Sequence, residues 1–208
     1  MTSRSGLIIG LALVLIGLVG LITVGLLGAG GPNDLTCPGG GPCFGGRDDS
    51  AGSVDAMFII GMVPHHEDAI EMAKLALTRA EHPELKELAR DIIDTQSAEN
   101  DDMREWYRDW YGEDVPEDGS FGMMGGDMGM GGMGSMGTDM SALESADPFD
   151  AEFIRQMIPH HQMGIMMAQM AGRSSDRAEI QGLADDIIKS QSAEIEQMRE
   201  WYDEWYGN

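Results

Sequence analysis

From about residue 54 onward, apolar residues recur at helical spacing, and they do so in two matching stretches. In the later stretch they fall at Phe153, Met157, Ile158 and Ile165, then at Ile180, Leu183, Ile187, Ile188, Ile195 and Met198. Steps of three and four residues put such positions on one stripe of an α-helix. Asp147 is placed to cap the first of these helices, with Pro148 as its first residue. That helix is expected to end near Gly172, and a second, starting after "RSSD", to close on "WYDEWYG". Residues 55–112 follow the same plan, with "EHPEL" as the break. Aligned at a constant offset of 95, about 30 of the 58 residue pairs between 55–112 and 150–207 are identical without a gap. The chain therefore carries an internal duplication of a helical hairpin. One hairpin cannot bury both of its apolar stripes, so the two copies are predicted to pack into one all-α, antiparallel four-helix bundle.

The flanking segments have other patterns. After Arg4 the chain runs for about 25 residues without a charge, roughly 37 Å as helix, enough for the ~30 Å hydrocarbon core of a bilayer. Residues 1–30 are accordingly expected to form a transmembrane signal anchor, with cleavage around Gly28–Gly30 as the alternative. The lone early basic residue precedes the span and acids follow it, which puts the C-terminal part outside the cytoplasm. Residues 31–53 read as a flexible linker containing Cys37 and Cys43, either a disulfide staple or a thiolate pair for a soft metal. The two hairpins occupy 54–112 and 147–208. Between them, 113–146 is expected to be a disordered linker rich in methionine and glycine.

A formal net charge of -23 excludes a nucleic-acid-binding face, which needs patches of Lys and Arg. Attraction to cations remains open. Met123, Met124, Met128, Met130, Met133, Met136 and Met140 are large apolar groups in a glycine-rich tract with no core to receive them. A thioether is a soft, neutral ligand suited to Cu(I) and, by the same softness, Ag(I). The alternatives are compositional drift or a set of sacrificial, oxidisable methionines.

Each hairpin also opens with a proline followed by two histidines, "MVPHH" and "MIPHH", and these pairs hold four of the chain's five histidines. At 100° per residue, Met62, His65 and Met72 share one helix face. The second copy repeats this with Met157, His160 and Met167, and places Met163 alongside. Gln96, Glu99 and Met103, repeated as Gln191, Glu194 and Met198, are aligned on the following helices. Methionine stripes fill cores well, so packing competes with ligation here. The prolines remove a backbone donor in mid-helix, which either bends the helix to aim the histidines or starts a new helix at each proline. Imidazole coordinates when neutral, so binding at the histidine pairs is expected to weaken below about pH 6.5. Trp106, Trp110, Trp201 and Trp205, each pair one turn apart, are expected to lock the bundle end by packing.

The duplicated "F-I-x-x-M-[VI]-P-H-H" opening and the "I-I-x-x-Q-x-x-E" second helix resemble the bacterial family known as domain of unknown function 305, across residues 54–207. The resemblance implies a ferritin-like bundle on the extracytoplasmic side, with some members binding copper. Carried over by position, it implies Met62, His65, His66, Met72, Met157, His160, His161 and Met167 as ligands. The expected function is a membrane-tethered, extracytoplasmic protein binding copper, Cu(I) above all, with Ag(I) or Cu(II) as further ions, for sequestration, tolerance or delivery. A helical interaction module without metal is the alternative. A di-metal oxidase is less well supported, because neither PHH helix has a glutamate three residues before a histidine. No catalytic constellation is evident.

Overall fold

The computed structural model describes residues 53–116 and 138–207. The described residues form five helices and no strand. Helix α1 spans Val54–Arg79, α2 Pro83–Tyr111, α3 Met140–Ser145, α4 Phe149–Ser174 and α5 Ala178–Tyr206. The N-terminal apolar run, Cys37, Cys43 and the linker methionines 123–136 lie outside the described residues. Among the described residues, no helix is long and apolar enough to cross a membrane.

Local chemistry accounts for the helix ends. Ser53 caps α1 by accepting from the Ala56 N–H at 3.2 Å, and its hydroxyl meets the Tyr111 hydroxyl at 2.7 Å, tying the start of α1 to the end of α2. Pro83 opens α2, where a missing N–H costs nothing. Gly112 closes that helix at φ 77°, a left-handed cap favoured by glycine. One expectation shifts: α4 begins at Phe149 with Pro148, not Asp147, in the capping position.

A second expectation is corrected at the end of the linker. Residues 140–145 are helical, because Leu143 has an apolar seat and is fully buried, with Met140 packed at its edge. Asp139 caps α3 by accepting from the Ala142 N–H at 2.9 Å. Arg79, at the end of α1, donates to the Glu144 carbonyl and, at 2.9 Å, to the Ala146 carbonyl.

The long helices pack in the order α2, α1, α4, α5, with neighbours antiparallel. Two apolar clusters fill the bundle. One takes the C-terminal half of α1 and the N-terminal halves of α2 and α4, including Leu85, Ile92, Phe153 and Met157. The other takes the N-terminal half of α1 with the C-terminal half of α4 and the start of α5, including Phe58, Ile59, Ile180 and Ile187. Each helix passes from one cluster to the other through a polar segment, and those four segments meet at mid-height.

The duplication is visible as a pair of reciprocal clasps. Asp150 of α4 is fully buried and accepts from the Glu81 and His82 N–H groups at 3.0 and 2.9 Å and from His82 Nδ1 at 2.7 Å. The His82 ring stacks on Trp205 at 3.6 Å. At the matching positions, Asp55 of α1 pairs with Arg177 at 3.2 Å, and the Arg177 guanidinium lies 4.0 Å over Trp110. Each half thus grips the inter-helix loop of the other, and the fifth histidine, His82, has a structural place.

Candidate metal centre

The mid-height layer holds both histidine pairs. Helix α1 is sandwiched between α2 and α4, so it buries a wide face and two adjacent residues can each meet a different neighbour. His65 turns to α4, its Nε2 donating to the His160 carbonyl at 3.1 Å. His66 turns to α2, its Nε2 2.8 Å from Glu99 Oε2. The other half matches: His161 Nε2 lies 2.6 Å from Glu194 Oε2 on α5, while His160 faces His65 with ring centroids 3.8 Å apart. This geometry explains why the histidines come in adjacent pairs. Both prolines lie inside unbroken helices, which rules out a new helix starting at each.

All four histidines are buried, as are Gln96, Asn100 and Gln191. Nδ1 of all four rings is buried with no hydrogen-bond partner, as are both polar atoms of the Gln191 amide. So many orphaned polar atoms in one layer are costly unless something else engages them. Gly164 makes the crossing possible: a Cβ there would lie 2.5 Å from Gln191 Oε1 and 3.0 Å from His65 Cε1.

Burial dominates the electrostatics. It lowers His65 and His66 from 6.5 to about 3 and His160 to about 2, and the neighbouring imidazoles push the same way. It raises Glu99 to about 8, with the facing Glu194 carboxylate as the next cause. His66 and Glu99 are at ion-pair distance, yet both are driven toward their neutral forms, and their contact is not aligned as a hydrogen bond. We read it as a neutral imidazole beside a protonated carboxyl. His65, His66 and His160 are therefore held as neutral imidazole far below pH 6.5, and for these three the expectation that protons displace metal near that pH is corrected.

The candidate methionines divide. Met62 and Met157 are fully buried one turn before each histidine pair, in opposite apolar clusters that both abut the layer. Met72 is fully buried in the same apolar cluster as Met157. Met167 is half-buried, with its methyl 3.0 Å from where a Cβ of Gly61 would lie, and Met163 is half-buried on α4. Glu99 and Glu194 were legible as polar interruptions of the stripe, but their pairing with histidines 33 residues away on another helix was not. Gly164 carried no signal in the sequence.

The donor set bears on which ion fits. Among the described residues, no three His, Cys, Asp or Glu side chains are grouped to hold a metal ion. Zn²⁺ wants four such ligands in a closed site. A soft ion that accepts neutral imidazole and thioether needs fewer hard donors, and buried orphaned nitrogens with Met62 and Met157 one turn away suit it better.

A helical bundle crossed at mid-height by paired histidines thus defines the class. The chain belongs to the family described as Domain of unknown function (DUF305), whose model matches residues 55–202. It is similar to CopM in the apo form, at 49% identity and TM-score 0.64, covering 74% of this chain and 98% of that one. CopM in the Cu(I)-bound form matches at 48% identity and TM-score 0.63, covering 74% and 99%. CopM has also been solved in Cu(II)-bound and Ag-bound forms. A DUF305 protein from Streptomyces coelicolor matches at 30% identity and TM-score 0.64, covering 74% and 95%. An uncharacterised protein of Acanthamoeba polyphaga mimivirus is 43% identical over 49 residues, which are 24% of this chain and 32% of that protein.

Proposed function

We propose that the protein is a membrane-tethered, extracytoplasmic copper-binding protein that takes up Cu(I) and Ag(I) at the histidine layer, and that it sequesters or hands on the ion. The observation that carries the reading is the layer itself: four buried imidazoles with unengaged Nδ1 atoms, three of them held neutral by burial. It is supported by about half identity, over nearly the whole length of CopM, to a protein solved with Cu(I), Cu(II) and Ag. Tethering is supported by the uncharged run after Arg4, and a reporter fused after Asn208 should be active outside the cytoplasm. The linker methionines would form a second, separate store.

The test is competitive titration of the full-length chain with Cu(I) and Ag(I). A deletion of residues 121–137 spares α3 and should lower Cu(I) stoichiometry without changing helical content. Replacing His65, His66, His160 and His161 together by alanine in that deletion background should abolish the remaining tight binding. Retained affinity in a cooperatively folded variant would mean that the histidines are structural and the bundle an interaction module.

A further inference from the structure

The layer contains more than ligands of unspecified orientation. His65 Nε2 sits 3.1 Å from the His160 carbonyl oxygen, an atom that can only accept. The proton of that imidazole is therefore on Nε2 and the lone pair on Nδ1. In the other half, His161 Nε2 sits 2.6 Å from Glu194 Oε2, and a carboxylate imposes the same tautomer. In both rings the opposite nitrogen, Nδ1, is buried and has no partner. Histidines that ligate metals usually donate their second N–H to a carboxylate or a backbone carbonyl, which fixes the tautomer and raises the basicity of the ligating nitrogen. Both kinds of acceptor are present here, one to each half.

We propose that Cu(I) or Ag(I) is bound through Nδ1 of His65 and His161, and that the His160 carbonyl and Glu194 are positioning groups that hold these rings in the Nε2–H tautomer. This rests on the metal reading of the layer given above, and it adds the ligating atom and the groups that select it. Gly164 belongs to the same device, because a side chain there would meet the His65 ring from the α4 side. Glu194 touches no metal in this scheme. Its effect on affinity passes entirely through the imidazole of His161.

The experiment is long-range ¹H–¹⁵N NMR on full-length protein with ¹⁵N-labelled histidine, before and after addition of Ag(I) alone. In the metal-free protein, His65 and His161 are expected to show a protonated Nε2 and an unprotonated Nδ1. Ag(I) should shift Nδ1 and couple to it, leaving Nε2 protonated. Glu194→Ala should release the His161 tautomer and weaken Ag(I) binding roughly 10- to 100-fold. Glu194→Gln, which keeps an oxygen acceptor, should restore most of both. Coupling at Nε2, or an Nδ1–H tautomer in the metal-free chain, overturns this proposal and leaves the copper reading standing. Ag(I) binding with no change at any histidine nitrogen overturns both. Should Glu194→Ala fail to fold, the spectra of the unsubstituted chain decide the matter without it.

Discussion

His65, His66 and His160 have pKa values far below 6.5 in the folded chain, and the sign of the consequence is fixed by linkage. The unfolded chain takes up these protons near pH 6.5 and the folded chain only near pH 3 or below, so stability is lost as pH falls through that window. At about 1.4 kcal/mol per pKa unit, each histidine contributes a penalty on the order of several kcal/mol by its lower end. Glu99 acts oppositely: raised to about 8, it favours the fold below about pH 4.5 and loses that contribution as pH rises to 8. Asp68, raised to about 6, and Asp91, also raised by burial, act in the same sense as Glu99 from more exposed positions, and the three deeply buried histidines outweigh them. The metal-free protein is therefore expected to lose thermal stability steadily between pH 6.5 and 4, and Ag(I) binding to hold at pH 5 and fail only with the fold. Calorimetric titration alongside near-ultraviolet circular dichroism checks this; Ag(I) release at pH 6 from an intact fold would contradict it. Gly164→Ala is a steric test of the same layer. Overpacking there should cost about 1–3 kcal/mol in urea unfolding, and Ag(I) affinity should fall with it.

Among the elements, α4 shows what the sequence made legible. Its period and its hairpin partner α5 follow from spacing alone. Two things did not: whether Pro159 interrupts the helix, and where the preceding linker ends. The first is decided by packing on both sides, which keeps α4 continuous despite the missing N–H. The second is decided by one leucine, which reaches a core seat that only the assembled bundle provides. Pro159→Ala restores a donor for the Arg155 carbonyl, so the metal-free Tm should rise while Ag(I) affinity falls. A rise in both would mean that the proline does not help to aim His160 and His161. Leu143→Ala should cost about 2 kcal/mol or more and raise amide exchange in α3 before any other helix. Uniform exchange across the bundle would show instead that α3 is integral to its cooperative unit.

At the scale of the whole molecule, the halves are related but no longer equal. Where the first copy has Asp68, Ala69 and Glu71, the second has Met163, Gly164 and Met166. The clasps have diverged as well: a fully buried aspartate with a histidine on one side, a slightly exposed aspartate with an arginine on the other. Asp150→Ala strands the Glu81 and His82 donors and should cost several kcal/mol, whereas Asp55→Ala should cost clearly less; equal losses in urea unfolding would contradict this ranking. The reciprocal grip has a further consequence. Each hairpin's loop is held by the other hairpin, and neither owns a complete histidine layer, so the peptide joining them serves mainly to raise the effective concentration of one half around the other. Cleaving the chain at a protease site inserted within 117–137 should then leave a tight complex of two fragments that co-elute, melt together and still take up Ag(I). Separation on dilution would occur only below the dissociation constant of the two fragments, which the joining peptide had masked by its far higher effective concentration.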